Sequence, residues 1–349
     1  MDFIHGRVVR LGGGQKIFRC LEMKTLSFVS WALRWLPGKT SETTVCFPIR
    51  CAIGIDKNMK HVNFLCLVAI AMLTLGDVTE GRSAEYPLQP LIDQLKPTRK
   101  IVYKQVGARK LHLHVFEPDR FHATDKRPAY VAFHGGGWTG GDATRFYPFA
   151  AHFAKQGMVG ISVEYRLKND RHGTTVFDCV KDGRSAIRYV REHAAELGID
   201  PDKIVGSGGS AGGHVAVSTA LFDAVNAESD NQKTSAVPNA LVLYYPVIDT
   251  SADGYGQKKI GDRWKELSPV HNVKQKLPPT IIFHGTGDTV TPFKGAKSFL
   301  EQTIAIGNSC ELVTHKDGRH GYLIFDLKLY REALQQTETF LTRVGMLTR

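Results

Sequence analysis

From about residue 100 onward, short apolar runs alternate with longer segments whose apolar residues recur at helical spacing. Segments 101–106 and 111–116, separated by Gly107-Ala108-Arg109-Lys110, predict an opening hairpin. In the second of these Leu111, Leu113 and Val115 alternate with His112 and His114, which makes the two histidines solvent-facing strand residues. Further strands are predicted at 129–133, 158–165, around Ile204, and at 240–245, 280–284 and 311–315. Helices are predicted at about 145–156, 176–197, 215–225, within 293–306 and at 326–344. The clearest helix is 176–197, where Val176, Val180, Ile187, Val190 and Leu197 form one apolar stripe and Gly198 stops it. Strand and helix in regular alternation predict an α/β fold, a mostly parallel central sheet with helices on both faces.

The first 84 residues break this rhythm. Met59-Lys60-His61 and the apolar run 62–75 have the basic start and short hydrophobic core of a signal peptide, too short for a comfortable bilayer span. Small residues between Gly76 and Ala84 offer cleavage sites, so the mature chain is expected to begin near Glu85, secreted or periplasmic. A signal peptide starts at its own initiator, which makes 1–58 an over-extended or non-native segment, 59–84 the signal peptide and 85–349 the catalytic domain. No membrane span is expected in the mature protein.

Charge adds little to this picture. The 349 residues carry a formal +11, but residues 1–84 hold 11 Lys+Arg against 6 Asp+Glu, and the remainder is scattered among acids. A solvated surface follows rather than a nucleic-acid-binding stripe, and no nucleic-acid partner is expected. Cys20, Cys46, Cys51 and Cys66 lie in the N-terminal part, leaving Cys179 and Cys310 in the body. Two buried free thiols are expected there, with a disulfide the alternative in an oxidising compartment. No metal-ligand spacing occurs, and no metal or organic cofactor is expected.

The candidate chemistry centres on Gly208-Gly209-Ser210-Ala211-Gly212, set between the strand at Ile204 and the following helix. A serine on a sharp strand-to-helix turn needs small residues two positions to either side, and Gly208 and Gly212 supply them. A serine nucleophile also needs a base, and the base needs an acid to hold its tautomer. Asp288 in His284-Gly-Thr-Gly-Asp288 follows a strong apolar strand, and His320 lies in Gly318-Arg-His-Gly321 near the end of the chain. Asp249, one strand earlier, is the rival acid. Consecutive glycines in His134-Gly-Gly-Gly-Trp138 let the main chain approach a developing oxyanion; the expected donors are the amides of Gly136, Gly137 and Ala211. His134 is read as a structural residue of that loop. Trp138, Tyr165, Phe146 and Tyr147 are candidates for shaping a pocket, as are loops that include the insertion at 249–267.

With these motifs in place, residues 100–345 resemble the esterase and lipase branch of the α/β-hydrolase superfamily. They resemble most closely the hormone-sensitive-lipase-like esterases and bacterial feruloyl and acetyl-xylan esterases. The resemblance rests on His134-Gly-Gly-Gly-Trp138, Glu164-Tyr-Arg-Leu167, Gly208-Gly-Ser-Ala-Gly-Gly-His214, the Asp288 loop and His320-Gly321. It implies the α/β-hydrolase fold, Ser210, Asp288 and His320 as triad, and Gly136, Gly137 and Ala211 as oxyanion hole. Two departures bear on substrate: Gly209 stands where the pattern usually has Asp, and Lys168-Asn169-Asp170 follows Tyr-Arg-Leu in place of Ala-Pro-Glu. The expected reaction is hydrolysis of short-chain or carbohydrate-linked (acetyl or feruloyl) esters through an acyl-enzyme. A formamidase, amidase or peptidase with the same triad is one alternative, and a noncatalytic binding module of the same fold is another.

Overall fold

Eight strands form one sheet in the order β1-β2-β4-β3-β5-β6-β7-β8. The structure is a computed structural model and describes residues 86–348; the expectations for 1–58 and 59–84 lie outside the described residues. The strands are β1 Arg99–Val106, β2 Arg109–Phe116, β3 Arg127–Phe133, β4 Val159–Val163, β5 Ile199–Gly209, β6 Ala240–Tyr244, β7 Thr280–Gly285 and β8 Cys310–His315. The hairpin β1–β2 and the β2–β4 pair are antiparallel; every pairing from β4 through β8 is parallel. Among the described residues the α-helices are α1 Gln89–Gln94, α2 Tyr147–Lys155, α3 Val176–Glu192, α4 Ala211–Leu221, α5 Gln257–Ile260, α6 Phe293–Ala305 and α7 Leu327–Arg343.

Strands β4, β6 and β7 are buried at every position because helices cover both faces of the sheet. Alternation within β3 shows the two cores. Val131 and Phe133 join α3, α4 and α6 through Val180, Ile187, Val215 and Phe299. Tyr130 and Ala132 face α2 and α7 through Phe149, Phe153, Leu334 and Phe340. Among the described residues the two cysteines are buried and free, Cys179 on α3 and Cys310 on β8.

Several elements depart from the sequence pattern. Helix α3 opens on a reciprocal cap between Thr175 and Asp178 but stops at Glu192, and residues 193–198 form an irregular turn ending at Gly198, φ +62°. Strand β4 ends at Val163 because Tyr165 turns aside, its hydroxyl donating to His134 O at 2.7 Å. His114 is not solvent-facing. Its Nε2 lies 2.8 Å from Glu164 Oε1 and its Nδ1 2.5 Å from the Tyr147 hydroxyl, while His112, half-buried, meets Glu164 Oε2 at 2.9 Å. Alternation misled here because α2 packs Tyr147 over the face of β2 that His114 occupies. No described helix is long and apolar enough to cross a membrane.

Candidate active site

The chain order places functional loops at the carboxyl ends of β3, β5, β7 and β8, two adjacent pairs with β6 between them. After β3 the path goes to β4 on one side and then returns to β5 on the other, a reversal that leaves a crevice at the strand ends. Phe133 pairs with Gly208, so the glycine loop after β3 and the turn after β5 leave the sheet side by side. Strands β7 and β8 then deliver Asp288 and His320.

Ser210 links β5 to α4 with φ +55° and ψ −122°, a conformation that L-residues rarely adopt. The turn is crowded enough to explain its glycines. A Cβ on Gly212 would stand 2.1 Å from Phe133 O, and one on Gly208 would stand 2.5 Å from the carbonyl of Gly212. A Cβ on Gly209 would meet the Phe146 ring and the Tyr245 hydroxyl, each at 2.9 Å, so the space an aspartate would fill is occupied.

Ser210 Oγ lies 2.9 Å from His320 Nε2, and His320 Nδ1 lies 2.8 Å from Asp288 Oδ2. The Asp288 carboxylate also accepts from the amides of Val290 and Thr291 and from the Thr291 hydroxyl at 2.9 Å. Burial would raise the Asp288 carboxyl, but hydrogen bonding to His284 and His320 outweighs it and holds the group well below the usual carboxylate range. His320 is the closer partner, since His284 Nε2 donates to Thr291 O at 2.7 Å and stands 3.4 Å from Asp288 Oδ2. The structure therefore brings Ser210, His320 and Asp288 into one hydrogen-bonded line. Asp249 instead accepts from Ser251 N in its own turn.

The glycine loop faces this line across a cavity of about 730 Å³ lined by Gly136, Gly137, Ser210 and His320. Gly136 and Gly137 have φ +126° and +60°, and their N–H groups meet no acceptor among the described residues. Ala211 is the first residue of α4, where an N–H has no partner within the helix. Behind the loop His134 stacks on Tyr165 and its Nδ1 contacts Gly135 O at 2.8 Å; burial lowers its pKa to about 4. From the insertion at 249–267, Lys259 Nζ donates to Gly137 O at 3.0 Å and to the Tyr255 hydroxyl at 2.7 Å.

Of the four aromatic candidates only Phe146 lines the cavity. Trp138 is fully buried against His214 and Tyr255, Tyr165 backs the glycine loop, and Tyr147 serves His114. Sequence reasoning did not find Tyr86, Gln89 and Ile92, at and just before α1, nor Tyr245, which also line it. The repeated Tyr244-Tyr245 before Pro246 was the available signal for the last.

An elbow serine, a glycine loop and a histidine loop at the carboxyl edge of a mainly parallel sheet define an α/β-hydrolase. Residues 113–303 match the BD-FAE family model, and the chain belongs to that family, among esterases of hormone-sensitive-lipase-like type. It is similar to Thermogutta terrifontis esterase 2 phosphoramylated by tabun, with 40% identity and a TM-score of 0.69 over 72% of this chain and 96% of that one. The same esterase also matches in its propionate-bound and butyrate-bound structures. Carboxylesterase NlhH of Mycobacterium tuberculosis is 39% identical over 58% of this chain and 69% of its own length. The probable carboxylic ester hydrolase LipM of the same organism is 28% identical over 58% of this chain, which spans only 50% of the LipM sequence.

Proposed function

We propose that this protein is a serine carboxylic-ester hydrolase that works through an acyl-enzyme on short-chain or carbohydrate-linked (acetyl or feruloyl) esters. The observation that carries the reading is the unbroken line from Ser210 Oγ through His320 to Asp288, opening onto a cavity walled by Gly136 and Gly137. His320 Nε2 takes the proton from Ser210 as the oxygen attacks the ester carbonyl, while Asp288 fixes the other ring nitrogen as a donor and stabilises the imidazolium. The oxyanion is held by the N–H groups of Gly136, Gly137 and Ala211, the last at the positive end of α4. The tetrahedral intermediate collapses when His320 returns the proton to the leaving alcohol, and water then repeats the sequence on the acyl-enzyme. The propionate-bound and butyrate-bound structures of the Thermogutta esterase support a short acyl group.

A panel of p-nitrophenyl esters of rising chain length, with acetylated xylan and methyl ferulate, tests the substrate. N-formylkynurenine and anilides separate amidase chemistry. Ser210→Ala should lower turnover at least about 10³-fold and abolish labelling by a fluorophosphonate probe. Wild-type protein that neither labels nor hydrolyses any ester would falsify the enzyme reading. Export is proposed from residues 59–84, and N-terminal sequencing of protein recovered outside the cytoplasm should return a start near Glu85; a start at Met1 or Met59 there removes that proposal.

A further inference from the structure

Among the described residues that line the catalytic cavity, one is a permanent cation, Arg145. A Cβ on Gly141 would meet Arg145 Nη1 at 3.4 Å, which sets the guanidinium beside the glycine loop. Several described arginines, Arg184 and Arg191 among them, lack a carboxylate partner; of these Arg145 is the one that lines the cavity. The nearby Asp142 also lines the cavity, but its Oδ1 is engaged by Thr144 N and the Thr144 hydroxyl, at 2.8 and 2.5 Å, at the start of the 3-10 turn Ala143–Phe146.

Tyr245 adds a second, independent feature. Its ring is buried, it lines the same cavity, and its hydroxyl donates to no described residue and is open to the cavity. That hydroxyl lies over Gly209, next to the nucleophile. Burial raises the phenol well above its ordinary pKa, and the nearby charge of Arg145 only partly offsets this, so the group stays a donor at neutral pH. Because that hydroxyl opens onto the cavity, water meets it in the resting protein, and the acceptor oxygen of a ligand can take that water's place.

We propose that Arg145 and Tyr245 form an anion subsite within the catalytic cavity, which makes the preferred substrate an ester that carries a carboxylate. A carboxylate accepts from a guanidinium and a hydroxyl at once, whereas a hydrocarbon at the same place satisfies neither. The subsite rests on Ser210 being the nucleophile of this cavity. The acid can sit on the acyl side, as in a hemiester of a dicarboxylic acid, or on the alcohol side, as in an acetylated hydroxy acid.

The experiment compares kcat/KM for p-nitrophenyl hemisuccinate with p-nitrophenyl butyrate, and for 4-acetoxybenzoate with phenyl acetate. Arg145→Gln should lower the acid-to-neutral ratio about tenfold in one of the two pairs, chiefly through KM, and that pair identifies the side that carries the acid. Arg145→Lys should retain most of the ratio, and Tyr245→Phe should lower it about threefold. Ratios unchanged within about twofold in Arg145→Gln, in protein whose melting temperature matches wild type, overturn the subsite. If wild type hydrolyses none of the four esters and also fails to label with the fluorophosphonate probe, the hydrolase reading fails on its own. Calorimetry with succinate and butyrate then reads the subsite directly: succinate binding lost in Arg145→Gln supports it, and equal binding to both proteins, or none to wild type, overturns it.

Discussion

At the scale of single residues, the site is a set of constrained backbones that aim ordinary side chains. Ser210, Asp288 and His320 were legible because each sits in a loop whose glycines advertise a sharp turn just past an apolar run. The residues that support them carry no such mark. Thr291 reads as a generic loop residue, yet its hydroxyl bonds Asp288 Oδ2 and lies 3.1 Å from His320 Nδ1. Gly209, which looked like a departure from the family pattern, is required by the positions of Phe146 and Tyr245. Asp288→Asn should cost about 10⁴-fold in kcat by favouring the wrong His320 tautomer. Thr291→Val, which removes one of several donors to the same carboxylate, should cost only about three- to tenfold. Steady-state kinetics on a single p-nitrophenyl ester checks both, and equal losses in the two variants would mean that Asp288 acts through Thr291 rather than on His320.

At the scale of elements, central strands were easier to read than their surroundings. Strands buried on both faces carry near-continuous apolar runs, so 240–245 and 280–284 announced themselves, whereas β2 is covered on both faces only from Leu113 onward and its alternation looked like an exposed edge. Short elements were invisible for a different reason. Helix α1 has six residues, too few to build a period, and its place at the cavity comes from packing against the α2 face of the sheet. The insertion at 249–267 was legible as a loop but not as a clamp. Lys259 and Tyr255 reach from it to Gly137, and no spacing rule links positions 122 residues apart. On the proposed mechanism the lysine orients the loop that faces the oxyanion rather than the resting ester, so Lys259→Met should lower kcat about tenfold with KM little changed. A change confined to KM would instead make Lys259 a substrate contact.

At the scale of the whole molecule, burial of histidines ties stability to pH. His134 and His214 are pushed down to about 4, in both cases by burial, against which hydrogen bonding to Gly135 O and to Leu267 O acts in the opposite direction. The unfolded chain titrates these groups near 6.5. Between about pH 6.5 and 4 the unfolded state therefore binds protons that the folded state refuses, and stability falls as pH falls through that window. It is fully present above the upper limit. Each histidine contributes up to about 3 kcal/mol to the loss. The depressed Asp288 carboxyl adds a further loss only below the ordinary carboxylate range, near pH 4, where the unfolded chain begins to protonate it. His214 joins α4 to the insertion through its 2.7 Å bond to Leu267 O, so a glutamine there keeps a donor but cannot titrate. Urea unfolding at pH 7, 5.5 and 4.5 should show His214→Gln somewhat less stable than wild type at pH 7 but with a visibly shallower decline toward pH 4.5. An unchanged slope would place the acid sensitivity in His134 and the His114–Glu164 cluster instead.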